Sequence, residues 1–550
     1  MNTTLLELPS TGTEQPPAFL TLDDCRTWIK SLPLSSPLQS QVFLLRELRL
    51  LDRYTLAGEL RYGMLEALRE TIQFVQSENA KKFSGKPLPL APPEQAAYDA
   101  THSLWQALLA GYLRCLDAAL QGNATLKLQV GAICQRALAV LMDNQIDILR
   151  AGAQPDARHW RTAHKVYASA EAQGRATTAS DDALRSSQPL TPAAVYAEIM
   201  LAHAAGLHEL SPRHQTWVLR WARRWASKIV VFNTPPPLDT PALPLCVDLA
   251  GDVPAGFKPY TGAEARWLDT RELRTSLKKR LTLLEKGDPK HTPLTLGFGD
   301  DCPQPACSEV LKRVYPRWLK GGILRRFERH PMSGACRFVV GVDAIHYYVA
   351  EHQPFKAPGS ASTADLRRQR EEIAVFGQVA ARFDDDFSRN HGYQLENWDI
   401  VEDWGMMDQS NGGLRLVRPL KQAGGRLGLG QLVAVQPGGS PNLVLGVVRW
   451  AQVGTDQLSV GIKIFPGKPA SMAVRATGVM AGNEAYRPGF ILPPVEALSV
   501  PASVVLPTGS YKPIRIMEIW LGGQSSRLKL REIIDRGADF ERVSFEEMSG

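Results

Sequence analysis

Apolar positions in the first 230 residues recur at helical spacing. Leu44, Leu48 and Leu51, then Leu56, Leu60 and Met64, fall on single faces, and so do Trp105, Leu108, Leu109 and Tyr112. A further helical run extends from Leu126 to Leu149. Start signals punctuate these runs. Thr21 precedes Leu22-Asp23-Asp24, and Ser36-Pro37, Thr191-Pro192 and Ser211-Pro212 each place a hydroxyl at the N-cap and proline at the first helical position. Trp217, Trp221 and Trp225 lie four apart and form one aromatic stripe, which is expected to face a core. The pattern predicts an all-α region of helical hairpins over 18–232, after a disordered tail over 1–17.

The periodicity then changes. Asn233-Thr234-Pro235-Pro236-Pro237 opens a proline-rich linker over 233–244. A mixed α/β region over 245–320 follows, with a strand near Leu245 and a charged helix carrying Leu273, Leu277, Leu281 and Leu284. From Trp398 onward the apolar runs are short, alternate with polar residues and are cut by Gly, Pro, Asn or Asp, the signature of an antiparallel meander. Further runs, among them Ala502–Leu506, Ile514–Trp520 and Ser526–Leu530, predict a C-terminal β region over 471–550 that forms a second barrel or a sheet packed on the first. The fold class expected is a multidomain α + β chain.

Composition changes this picture little. The 550 residues are 44% apolar and 22% charged, as in globular proteins. The net charge of +7, with no long Lys/Arg block, suits an anionic small molecule or an acidic partner better than bulk nucleic acid. No apolar run reaches membrane-spanning length, and the N-terminus lacks the basic start and apolar core of a signal peptide, so a cytoplasmic location is expected. The seven cysteines are scattered without a C-x-x-C and are expected to be reduced, mostly buried thiols. Neither Cys302 with Cys307 nor Asp384-Asp385-Asp386 is read as a metal site. No nucleophile elbow, Walker loop or metal-ligand set is present, so no enzyme is expected.

Two short patterns carry the candidate chemistry. Asp408-Gln409-Ser410-Asn411-Gly412-Gly413 fits Asp-x-Ser-x-x-Gly and runs into Leu414-Arg415-Leu416. Upstream, Leu324-Arg325-Arg326-Phe327-Glu328-Arg329 holds Arg-x-x-x-Arg at Arg325 and Arg329. Arginine pairs bidentately with guanine O6 and N7, stacks on bases and grips phosphate. A carboxylate at 408 can accept from two adjacent N–H donors. Ser410 offers one more polar contact, while Gly412 and Gly413 admit close backbone approach or positive φ.

The two patterns, in this order and flanked by strands, resemble the PilZ domain, a β-barrel that binds the bacterial second messenger cyclic di-GMP. The resemblance covers about a quarter of the chain. It implies a PilZ-like barrel over 321–470, interrupted by an insertion at about 351–392 that compact members lack. It also implies cyclic di-GMP as ligand, with Arg325, Arg326, Arg329, Asp408, Ser410, Gly412 and Gly413 as its site and no cofactor or metal. The expected function is a cyclic di-GMP effector whose helical half passes the signal to a protein partner in motility, pilus, secretion or biofilm control. The alternative is an adapter whose barrel has lost its ligand; titration with cyclic di-GMP separates the two.

Overall fold

The computed structural model describes residues 8, 12, 15–237, 243–322, 328–358, 401–477 and 484–548. The chain divides into two compact units. One comprises Met1–Lys86 and Leu90–Arg325, the other Pro87–Pro89 and Arg326–Gly550.

In the first unit the helices are α1 (Leu22–Lys30), α2 (Pro37–Arg53), α3 (Gly58–Ala80), α4 (Pro92–Leu120), α5 (Ala124–Leu128), α6 (Val130–Arg150), α7 (Ala157–Ala172), α8 (Pro192–Ala204) and α9 (Pro212–Trp225). The hydroxyls of Thr21, Thr191 and Ser211 each accept from the backbone N–H three residues on, so these start signals act as caps, whereas Ser36 sits at the N-cap of α2 without a side-chain cap hydrogen bond. Trp217, Trp221 and Trp225 are fully buried, as the stripe predicts. The indoles of Trp217 and Trp221 also donate to Asp301 Oδ2 at 3.0 Å and to the Phe298 carbonyl at 2.9 Å.

Helix α7 shows no clear apolar periodicity because histidines interrupt its buried face. His159 and His164 are buried beside Trp160, Val166 and Tyr167. His164 is satisfied by the Tyr196 hydroxyl at 2.8 Å and the Val253 carbonyl at 2.9 Å. After α9 come β1 (Val230–Phe232), β2 (Leu245–Asp248) and β3 (Ala265–Asp269), which form an antiparallel sheet in the order β1-β3-β2. Next are α10 (Arg271–Lys286) and α11 (Ala306–Leu319). Leu268, Leu273, Leu277, Leu311 and Trp318 join the same hydrophobic cluster as the preceding helices, so one core spans both sides of the proline-rich stretch.

The cysteine expectation requires correction. Cys302 and Cys307 are joined by a disulfide, with Cα atoms 5.2 Å apart, while Cys25, Cys115, Cys134, Cys246 and Cys336 are free and buried. A spacing of five along the chain leaves that distance open. The turn entering α11 brings the two side chains together within a buried corner.

Buried titratable groups make this unit sensitive to acid. Burial pushes the imidazoles of His159 and His203 down from 6.5 to about 3 and about 4. Both are therefore neutral when folded, and their contribution, full above 6.5, is lost as pH falls through the folded values. Burial pushes Asp147 up to about 6, which favours the folded state at lower pH and offsets part of the loss. With two imidazoles against one carboxyl, the urea midpoint of the helical unit should fall between about pH 7 and about pH 5. A flat or rising midpoint would contradict this placement of the histidines.

The second unit holds two closed antiparallel barrels. The first contains β4 (His330–Val340), β5 (Glu402–Ser410), β6 (Gly413–Pro419), β7 (Leu432–Pro437), β8 (Val444–Val453) and β9 (Gln457–Ile464), in the order β4-β5-β6-β9-β8-β7. Helix α12 (Val342–Val349) follows β4. Residues 359–400, which include most of the predicted insertion and Asp384–Asp386, lie outside the described residues.

The second barrel contains β10 (Ala470–Ala476), β11 (Arg487–Leu492), β12 (Ser503–Pro507), β13 (Ile516–Leu521), β14 (Gln524–Arg536) and β15 (Phe540–Met548), in the order β10-β11-β12-β15-β14-β13. Closure leaves neither barrel an unpaired edge. Of the two alternatives for the C-terminal region, the structure is a barrel, and it also packs on the first. Ile345 of α12, Leu445 and Phe465 share a buried cluster with Phe490, Val505 and Phe540.

Candidate functional site

The Asp-x-Ser-x-x-Gly residues form the end of β5, a two-residue turn and the start of β6. Ser410 pairs with Gly413, leaving Asn411 and Gly412 as the loop. The Ser410 hydroxyl donates to the Gly413 carbonyl at 3.3 Å, and the Gly412 carbonyl accepts from the Ile464 N–H at 3.1 Å. Gly413 does not adopt a left-handed φ. It is needed because a Cβ there would stand 2.4 Å from the Ile462 carbonyl oxygen of β9. Gly413→Ala should therefore force backbone apart and cost about 1–3 kcal/mol. Thermal denaturation of the variant tests this, and an unchanged melt would mean that β9 yields freely.

Arg329 directly precedes β4, and the β4–β5 pairing sets His330 against Gln409 and Pro331 against Asp408. The Arg329 Nη1 donates to Asp408 Oδ1 in a half-buried ion pair. The two patterns, 79 residues apart at these positions, thus meet in one place. Arg325 and Arg326 lie outside the described residues.

Strand register shows what surrounds the pair. Leu414 and Leu416 are fully buried within the barrel wall, so Arg415 between them faces outward. Arg415 lies opposite Asp408 on one side and Gly461 on the other. Its Nε is buried without a hydrogen-bond partner among the described residues. Across β9, Gly461 pairs with Trp450. A Cβ at Gly461 would fall 2.0 Å from the Trp450 Nε1, so the indole lies over the glycine. Lys463, opposite Gly413, reaches Asp535 of the second barrel at 2.9 Å.

One outer strip of the barrel therefore carries a carboxylate, two guanidiniums, an ammonium and an indole above a glycine. Such a set can pair with phosphate, read a guanine edge and stack a base. Arg415, Trp450 and Lys463 were not among the residues singled out in the sequence. Alternation of Leu414-Arg415-Leu416 beside the motif could have marked Arg415. Trp450 and Lys463 depend on the β8–β9–β6 register, including a bulge between Val448 and Trp450.

Among the described residues no group of His, Cys, Asp and Glu has the makings of a metal site. None of the helices among them is long and apolar enough to cross a membrane.

Comparison with known proteins gives matches on both sides of this barrel. Residues 23–235 match the family model described as the N-terminal domain of the cyclic-di-GMP receptor FimW. Residues 472–548 match the FimW C-terminal β-barrel domain. A curated relative, the cyclic-di-GMP receptor FimW of Pseudomonas aeruginosa strain PAO1, is 22% identical over 565 aligned positions, which cover 94% of this chain and 90% of the relative. The chain is thus similar over nearly its whole length to a cyclic-di-GMP receptor, and its helical region and second barrel match the two FimW domain families.

Proposed function

We propose that this chain is a cyclic di-GMP receptor and that the nucleotide binds the outer face of the first, PilZ-like barrel. The observation that carries the reading is the ion pair between Arg329 and Asp408, which joins the two sequence patterns at one point on the barrel wall. The likeness to a protein described as a cyclic-di-GMP receptor supports it independently.

In this reading Asp408 accepts from a guanine N1–H and amine, while Arg329 and Arg415 take phosphate or the O6/N7 edge. The Trp450 indole supplies a stacking surface, and Ser410 and Gly413 hold the hairpin in shape. Arg325 and Arg326 add further cations from the entering segment. The Arg329 contact uses one guanidinium donor and one carboxylate oxygen, so each side chain keeps capacity to meet a ligand. Lys463, tied to Asp535, offers a route from the bound phosphates to the second barrel.

The chain acts in the cytoplasm, without catalysis of its own, and signals through a protein partner. Calorimetric titration of the full chain with cyclic di-GMP tests this. Saturable binding that Asp408→Ala weakens is expected, and no heat at any ligand concentration would remove the receptor reading.

A further inference from the structure

The second barrel opens at one end into a cavity of about 360 Å³, lined by the end of β10, the start of β11, the turn after β12 and the start of β13. Its floor is apolar. Val474, Ala476 and Met517 line it and belong to the buried cluster that fills the barrel. Its rim is cationic. Arg487 pairs with Val474 across β11 and β10, and paired residues share a face of the sheet, so the arginine leaves β11 on the inner side of the barrel. As the first residue of its strand it stands exposed at the mouth. Lys512 and Arg515 reach the same mouth from the β12–β13 connection. Arg515 Nη1 donates to the Ser510 carbonyl at 2.9 Å, which fixes that guanidinium in place. Ile514, between the two cations, holds φ at +63°, a conformation that a β-branched residue adopts only under constraint.

The charges on this rim do not cancel. Arg475 also lines the cavity, but it is engaged: it pairs with Glu518 at 2.7 Å and lies 4.4 Å from the centre of the Tyr486 ring. The rim carboxylate, Glu484 Oε1, lies 3.8 Å from Arg515 Nη2, beyond hydrogen-bond reach. The side chains of Arg487 and Lys512 have no ion-pair or hydrogen-bond partner among the described residues. Residues 478–483, between β10 and β11 in sequence, include no Asp or Glu that could supply one. Ser510 lines the cavity as well, and its hydroxyl makes no hydrogen bond among the described residues while keeping accessible surface.

We propose that this mouth is a second ligand site, for a small phosphate monoester with a compact apolar body. Two uncompensated cations, with the Arg515 guanidinium beside them, match a dianion, and the planar guanidinium forks match phosphate oxygens. The Ser510 hydroxyl adds a neutral donor. The floor of Val474, Ala476 and Met517 takes the organic part. Inorganic phosphate would leave that floor uncovered, and a neutral apolar ligand would leave the cations unused. The site lies in the other barrel from the Asp-x-Ser-x-x-Gly pattern and does not rest on the reading given for that pattern.

The test is calorimetric titration of the full chain with phenyl phosphate, with inorganic phosphate, phenol and benzoate as controls. Saturable binding is expected, tighter than that of any control. Arg487→Gln with Lys512→Gln should weaken it by about tenfold or more. Both side chains are exposed, so the fold survives their loss, as an unchanged circular dichroism melt would verify. Glu484→Gln removes the rim carboxylate and should tighten binding several-fold, an effect that damage to the fold does not mimic. No saturable binding of phenyl phosphate overturns the proposal. So does binding that is indifferent to the Arg487/Lys512 change, or that inorganic phosphate or benzoate matches.

Discussion

Arg329→Ala should weaken cyclic di-GMP binding by about 1–3 kcal/mol, or roughly 5- to 150-fold, because it removes one of the two planar guanidiniums proposed to meet the ligand. The variant also strips Asp408 of its ion-pair partner. The pair is only half-buried, so its loss should leave thermal stability nearly unchanged while affinity falls. Arg329→Lys should recover little, since an ammonium cannot reproduce a bidentate or stacked contact. Because Arg329 and Asp408 touch, combining Arg329→Ala with Asp408→Ala should cost a different amount from the sum of the two singles. Rising salt should weaken binding moderately and less steeply than for a DNA-binding protein, because few charges are neutralised. Isothermal calorimetry on the full chain reads all of these. An affinity unchanged in Arg329→Ala would take the arginine out of the site.

The largest stability effect is expected at Arg418. Its guanidinium is 2% exposed and pairs with Glu402, which is 4% exposed. Arg418 Nη2 also donates to the Gly425 carbonyl at 3.0 Å, and the guanidinium sits 5.0 Å from the Trp404 ring centre. Glu402 in turn accepts from Trp404 Nε1 at 2.8 Å and from the Gly425 N–H. This knot ties the start of β5 to the end of β6. Arg418→Ala leaves a buried carboxylate without its cation, at a cost of about 3–5 kcal/mol. The barrel should then unfold at lower denaturant and lose its ligand, while the helical unit keeps its own transition. Replacing both partners, as Glu402→Leu with Arg418→Met, should restore part of the stability, since the cost lies in the orphaned charge. A single variant as stable as the parent would show that the charge reaches water.

The helical region was legible because its signals are local. A hydroxyl followed by proline sets a helix start within one turn, and indoles four apart share a face whatever they pack against. Helix α7 is not legible locally because polar residues do a core residue's work there: His164 is buried between the Tyr196 hydroxyl and the Val253 carbonyl, partners that lie far along the chain. The disulfide was missed for a related reason, since the spacing of Cys302 and Cys307 is compatible with bonded and unbonded geometries alike.

At the candidate site the division is similar. The sequence by itself determined the helical and β halves of the chain, their turns and caps, and the two short patterns around Arg329 and Asp408, because each depends on residues within a few positions of one another. Only the tertiary structure decided that Arg329 touches Asp408, that Arg415 faces outward between Asp408 and Gly461, and that Trp450 covers that glycine. Strand pairing made those choices. A shift of one residue in β6 against β9 would turn Arg415 into the barrel and Leu414 out, so the burial of Leu414 and Leu416 sets which side chains a ligand can meet.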